Sequence, residues 1–248
     1  MKRLQVSIRD KYYPNNLHVL DNLQFNANTG EFIAIVGPSG TGKTTLLNII
    51  ANLDSDFTGE IVMPSLSLNP EAKVNTGIMF QEARLMPWLT VAENIKLVMQ
   101  PSGNPARELA EIINRVGLGG FESSFPAQLS GGMKRRVSMA RAFAVDPQVL
   151  LLDEPFQHLD GPAAEELQNQ LMQLWNKDKQ LVLLITHQLR EALALADRIL
   201  FLSKRPATIM LDFPVKLKRP RTPDCVVVDA LYYQIINKYP GLLSGELI

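Results

Sequence analysis

The sequence predicts an α/β fold with a helical segment set into it, and three observations carry that prediction. Apolar runs of strand length, Phe32-Ile33-Ala34-Ile35-Val36, Val149-Leu150-Leu151-Leu152 and Leu181 to Ile185, are continuous rather than alternating. Continuous apolarity marks strands covered on both faces, as in a parallel sheet. The first run opens onto a glycine-rich loop and then a helix-forming stretch, Leu46-Leu47-Asn48-Ile49-Ile50. From Thr90 to about Ala144 the apolar spacing becomes helical.

Bulk properties narrow the class. A chain of 248 residues with 46% hydrophobic content buries a substantial core. The 25 basic and 25 acidic residues cancel, so no global field points to nucleic acid. A lone cysteine, Cys225, excludes an internal disulfide and agrees with a reducing compartment. The start, Met1-Lys2-Arg3-Leu4-Gln5, is basic but has no apolar signal core. No run approaches the ~18 apolar residues of a membrane span. The expectation is a cytosolic protein unless something else holds it to a membrane.

In chain order, Leu4, Val6 and Ile8 alternate with polar residues, and Leu20, Leu23 and Phe25 open a second run. These read as strands of an antiparallel ribbon joined through Pro14-Asn15-Asn16. Asn28-Thr29-Gly30 turns the chain into the strand at Phe32. Gly59 to Val62 follows the first helix, and Gly77 to Phe80 is a strand ending in Gln81. Leu85-Met86-Pro87-Trp88-Leu89 places large apolar groups in a loop, where they tuck under their own domain or dock a partner. Thr90 and Glu93 fit a capping box, with Ile95, Val98 and Met99 behind it. Leu109, Ile112, Ile113 and Val116 form one helical face, stopped at Gly117. Ser130-Gly131-Gly132 opens a helix whose Lys134, Arg135, Arg136 and Arg141 read mostly as a solvated face. Asp160-Gly161-Pro162 starts another, with Glu165 and Glu166 in its first turn and Leu167, Leu171, Leu174 and Trp175 buried. Ile199 to Leu202 and Ile209 to Leu211 form a closing hairpin. After the Pro- and Arg-rich segment from Lys218 to Pro223, Val228, Leu231, Tyr232, Ile235 and Ile236 mark a terminal helix.

The chemistry concentrates at strand ends. Gly37-Pro38-Ser39-Gly40-Thr41-Gly42-Lys43-Thr44-Thr45 lies between strand and helix, the context a phosphate-binding loop requires. Its glycines let backbone N–H groups converge on phosphate oxygens, and the helix start adds a positive dipole end. Lys43 can reach terminal phosphates and the Thr44 hydroxyl can sit on Mg2+. Asp153-Glu154 ends a buried strand, where two acids need a cation or a water-filled site. The first can hold a magnesium shell, and the second can polarise an attacking water. His187 stands at the end of another buried strand, where α/β proteins place ligands. The helix start at Ser130 can face an anion. Tyr12 or Tyr13 can stack on a nucleotide base.

Together these pieces resemble the ATP-binding cassette family over nearly the whole chain. The glycine-rich loop looks like its Walker A motif, Val149 to Glu154 its Walker B, and Leu129-Ser130-Gly131-Gly132-Met133 its signature sequence. Gln81 matches the Q-loop glutamine, Leu159-Asp160 the end of the D-loop, and His187 the switch histidine. Tyr12 or Tyr13 takes the place of the base-stacking aromatic, and spacing favours Tyr13. Met133 stands where glutamine is common and Gln157-His158 where small residues are, and no appended regulatory domain is expected. The resemblance implies a P-loop NTPase fold: a RecA-like core with an antiparallel β subdomain and an inserted α-helical subdomain. A nucleotide-binding domain would cover 1–221, with the helical part at about 86–144, and a helical tail 222–248.

The resemblance further implies two ATP and Mg2+ sites sandwiched between two copies. Lys43 and the loop amides would hold phosphates. Thr44, Asp153 and Gln81 would organise magnesium, Glu154 would activate water and His187 would contact the γ-phosphate. Ser130, Gly131, Gly132 and Asp160 would complete the site. The 85–91 stretch is similar to nitrate/sulfonate/taurine-type importer ATPases. There, the loop after the glutamine forms a groove for a membrane permease, fed by a solute-binding protein. This places the chain at the cytoplasmic face of the membrane, docking near Gln81 to Thr90. An exporter or lipid-transport ATPase is disfavoured only by the Pro87-Trp88 stretch. A soluble non-transport member usually carries two cassettes or a coiled-coil insertion. An ATP clamp without hydrolysis would be expected to lose Glu154 or His187.

Overall fold

The structure, a computed structural model, describes residues 3–64, 74–100 and 103–246. The basic start at Met1 and Lys2 and the last two residues of the tail lie outside them. Two compact units divide the chain: Met1–Lys73 with Leu181–Ile248, and Val74–Gln180.

The first unit opens with β1 (Arg3–Tyr13) and β2 (Leu17–Asn28), antiparallel, with Val6 opposite Phe25 and Ile8 opposite Leu23. Leu4, Val6, Ile8, Leu23 and Phe25 are all buried, so the alternation follows the pleat. The turn between the strands is the 3₁₀ segment Pro14–Asn16. After β3 (Phe32–Val36) and α1 (Lys43–Ile50) comes β4 (Thr58–Val62). Strand β4 pairs with the free edge of β1, Ile61 opposite Val6, and completes a three-stranded antiparallel sheet.

The second unit contains β5 (Thr76–Met79), α2 (Val91–Lys96), α3 (Pro105–Arg115), α4 (Gly131–Ala144), β6 (Val149–Asp153) and α5 (Gly161–Asp178). Strands β5 and β6 run parallel, Gly77 beside Leu150. A Cβ on Gly77 would stand 2.1 Å from the Ala142 carbonyl oxygen, so this glycine lets α4 lie directly on the strand. The Thr90–Glu93 capping box is present in both directions. Helix α2 is shorter than the spacing of Val98 and Met99 predicts. The Val98 and Met99 amides donate to Ile95 and Lys96, three residues back, and that tighter turn ends the helix. Helix α5 starts at Gly161, which moves Glu165 and Glu166 out of its first turn. Its buried stripe of Leu167, Leu171, Leu174 and Trp175 is as predicted.

The chain returns to the first unit with β7 (Leu181–Thr186), α6 (Leu189–Leu195), β8 (Arg198–Leu202), β9 (Ile209–Pro214) and α7 (Val226–Lys238). Strand β3 lies between β7 and β8, parallel to both, and β9 closes the edge antiparallel to β8. All residues of β3 and β7 are buried, as continuous apolarity predicts. The Pro- and Arg-rich segment staples the end of α6: Arg219 donates to the Leu195 carbonyl at 2.5 Å and Arg221 to that of Leu193 at 2.6 Å and to that of Ala196. Burial and the neighbouring charge of Arg219 push the Arg221 pKa down to about 10, which leaves it charged at neutral pH. Two cations thus meet the negative end of a helix. Helix α7 buries Val228 and Ile235, and its Asp229 accepts from Arg190 of α6 at 2.8 Å.

Candidate functional site

In the first unit the glycine-rich loop leaves the C-terminal edge of β3. Gly42 has φ 109°, and a Cβ there would lie 2.6 Å from Val19 Cγ1, so no other residue fits. Pro38, Ser39, Gly40 and Thr41 form the arc, with the Thr41 hydroxyl donating to the Pro38 carbonyl at 3.1 Å. Lys43 is 5% exposed, and its ammonium donates to the carbonyls of Gly37 at 2.9 Å and Pro38 at 2.7 Å. The loop therefore closes around its own lysine, with Thr44 and Thr45 in the first turn of α1. Val36 is registered with Thr186, so His187 leaves β7 beside the point where Gly37 leaves β3. The turn carrying His187 is fixed from behind. The Thr186 hydroxyl donates to the buried Glu191 carboxylate at 2.6 Å and accepts from the Gln188 amide at 3.0 Å.

The two tyrosines separate. Tyr13 brings its hydroxyl within 3.4 Å of Thr45 Oγ1 and donates to Asp54 at 3.2 Å, while the Lys11 ammonium lies 4.6 Å from its ring centre. Tyr12 stacks on His18, ring centres 4.2 Å apart. Tyr13 is the one that reaches the phosphate-loop helix. Burial works against the Lys11 charge, but Asp54, hydrogen-bonded at 2.9 Å, and then Asp56 outweigh it and raise the Lys11 pKa. Burial likewise opposes the Asp54 charge, and the Lys11 hydrogen bond and charge together with the Asp56 amide and the Tyr13 hydroxyl outweigh it and lower that pKa.

In the second unit Met79 is registered with Leu152, so Gln81 and Glu154 emerge two residues beyond one strand edge. Asp153 is 3% exposed. Glu154 is half-buried with φ 45°, a left-handed conformation that turns the chain sharply after β6. The Gln81 amide nitrogen donates to Gln157 Oε1 at 2.5 Å. Gln81, Gly131, Arg135, Gln157 and His158 line one cleft of about 460 Å³. Ser130 caps α4 by accepting from the Met133 amide at 3.2 Å, and Gly131 and Gly132 follow without side chains over the helix end. Asp160 caps α5, accepting from the Ala163 amide at 2.9 Å, so one oxygen of this predicted site residue serves the helix.

The arginines of α4 correct the sequence reading. Arg135 is 8% exposed and donates to the Phe80 carbonyl at 3.1 Å and the Gln157 carbonyl at 3.4 Å. Arg141 donates to the Arg84 carbonyl at 2.8 Å, and Arg136 pairs with Glu166. Lys134 is half-buried. The face is a set of straps rather than a solvated surface, because the 80–84 backbone lacks strand partners there and takes its donors from the helix.

Sequence reasoning also missed Asn94. It is fully buried; its Oδ1 accepts from the Met86 amide at 2.8 Å, and its Nδ2 donates to the carbonyls of Met86, Leu89 and Thr90 at 3.2, 2.9 and 3.0 Å. It holds the loop that presents Trp88, 70% exposed. Leu85, Met86 and Leu89 are half-buried, so the apolar cluster is divided between tucking in and presenting. The missed signal was a polar residue on the apolar stripe of Val91 and Ile95.

The family model described as ABC transporter matches residues 20–157, more than half of the chain. The chain belongs to the ABC transporter family. Among its ABC relatives, an uncharacterized ABC transporter ATP-binding protein of Methanocaldococcus jannaschii is 40% identical, over 94% of this chain and 87% of its own. An aliphatic sulfonates import ATP-binding protein of Bacillus cereus is 42% identical, over 93% of each chain. The dimeric structure of a bacterial ABC transporter cassette superposes with a TM-score of 0.74 at 30% identity, covering 87% of this chain and 100% of that one. A post-hydrolysis cassette bound to ADP and Pi gives 0.73 at 28%, covering 88% and 100%. The ABC-type P-loop fold expected from the sequence is therefore the fold of this chain. Among the described residues, no helix is long and apolar enough to cross a membrane.

Proposed function

We propose that the chain is the ATP-hydrolysing subunit of an ABC importer for a small organic anion of the sulfonate type. It works as a head-to-tail pair at the cytoplasmic face of the membrane, bound to separate permease subunits that a solute-binding protein feeds. The observation that carries this is the placement of the chemistry at parallel strand edges: the loop around Lys43 beside His187 in one unit, and Gln81 beside Asp153-Glu154 in the other. The relatives' names supply the solute class.

Lys43 exchanges its carbonyl contacts for the β- and γ-phosphates, and the loop amides follow the phosphate chain. Tyr13 offers its ring to the base. The Thr44 hydroxyl, the Asp153 carboxylate and the Gln81 amide oxygen are all hard oxygen donors, the set that suits Mg2+. When bound, the ion neutralises charge on the phosphate oxygens. Glu154 orients and deprotonates the attacking water, and His187 stabilises the γ-phosphate. Ser130, Gly131 and Gly132 of the second copy close the site across the γ-phosphate, with the D-loop around Asp160 at the same junction. Hydrolysis then depends on closure, since phosphoryl transfer rests on positioning and charge. The loop held by Asn94, with Trp88 exposed, is the docking surface for the permease.

Glu154→Gln tests the assignment. The variant is expected to bind ATP normally and lose turnover by roughly 10²–10⁴-fold, the usual worth of a positioned base. Wild-type steady-state ATPase activity in that variant would remove Glu154 from the role.

A further inference from the structure

Next to the hairpin segment that carries Tyr13, β1 and β2 bring Asp10, His18 and Asp21 together at the base of the 12–18 hairpin. One ligand atom from each lies within 4.8 Å of the others. Asp10 and Asp21 are directly opposed across the strands, an arrangement that like charges destabilise. The His18 Nε2 atom is closed off from solvent and makes no hydrogen bond, although Asp10 Oδ1 is 3.3 Å away. A tetrahedral ion with bonds of about 2 Å needs its ligand atoms about 3.3 Å apart, so this pair is already at coordination spacing. Tyr12, stacked face to face on the imidazole, holds the ring in plane. The Arg9 guanidinium, 3.6 Å from Asp10 Oδ2, leaves Oδ1 to the cluster.

We propose that Asp10, His18 and Asp21 form a binding site for a divalent transition metal ion, with zinc the best match. One imidazole and two carboxylates suit zinc in three-ligand sites that leave a fourth position to water. The ion relieves the repulsion between the two aspartates and gives the buried nitrogen its partner. It ties the two strands at the foot of the hairpin. The site is separate from the proposed magnesium site, whose donors are all oxygens.

The test is calorimetric titration of chelator-treated, nucleotide-free full-length protein with zinc chloride, alongside thermal unfolding with and without zinc. One saturable site per chain and a raised Tm are expected. His18→Gln and Asp21→Asn should each weaken zinc binding at least about tenfold. His158→Ala and Cys225→Ser should leave it unchanged, and magnesium alone should not occupy it. Far-UV circular dichroism of the zinc-free variants identifies any that fail to fold, and Asp21→Asn, at the half-exposed end, carries the test if His18→Gln does. No saturable zinc binding, or binding indifferent to both variants, would overturn the proposal.

Discussion

Lys11 is 2% exposed, and its charge is sustained by Asp54 and Asp56. The sign of the pH effect follows from the directions of the shifts. Asp54 titrates below its ordinary 3.8, so its contribution is complete above that value and fades as pH falls through its lower folded pKa. Lys11 titrates above 10.5, so its contribution holds below that value and is lost as pH rises through the raised one. Asp54→Asn should therefore cost about 1.5–3 kcal/mol at neutral pH, the worth of a charged hydrogen bond. In urea titrations the gap from wild type should close below about pH 4. Asn94→Ala should cost about 1–3 kcal/mol by leaving the Met86 amide unpaired. It should also lower the fluorescence anisotropy of exposed Trp88, with Trp175 buried and unchanged. Neither residue was legible as a determinant. Asp54 lies 43 positions from Lys11, and a single sequence carries no record of such pairings.

Helix α4 joins two regions that the sequence treated separately. Its N-terminus is the capped signature start, and its arginines grip the backbone at Phe80 and Arg84, flanking Gln81. Coupling of the 80–84 segment to Ser130 through this helix is the expectation that these contacts support. Arg135→Gln is expected to preserve ATP affinity while weakening the stimulation of hydrolysis by reconstituted permease, read as permease-stimulated over basal rate. Elements were legible wherever the signal was local. The capping box at Thr90, the stop at Gly117 and the apolar runs of β3, β6 and β7 are each written within a few residues. Gly59 to Val62 stood out only as the segment after the first helix; neither its being a strand nor its pairing with β1 was legible, because register between distant strands depends on tertiary fit. The arginine straps were hidden for the same reason: a guanidinium bonded to a carbonyl reads like one in water.

At the scale of the molecule, the proposed completion of the active site by a second copy would make activity a property of pairs. Lys43→Ala and Ser130→Arg chains should each be inactive alone. Mixed, they should regain ATPase activity, since one site of each mixed pair joins an intact loop to an intact signature start. Absence of recovery, with mixed pairs shown by chromatography, would contradict the head-to-tail arrangement. The residue types of the site were legible because phosphate chemistry restricts them to short motifs. Their supports, Thr186 with Glu191 and Gln157 with Gln81, were not, since many polar side chains serve as well. Asn94 finally bears on how the molecule would meet the proposed permease. Its four hydrogen bonds settle the conformation of the Trp88 loop before any partner arrives. Covering the indole then removes little backbone freedom, and association can proceed as a rigid-body encounter in which most of the released water entropy is retained as affinity.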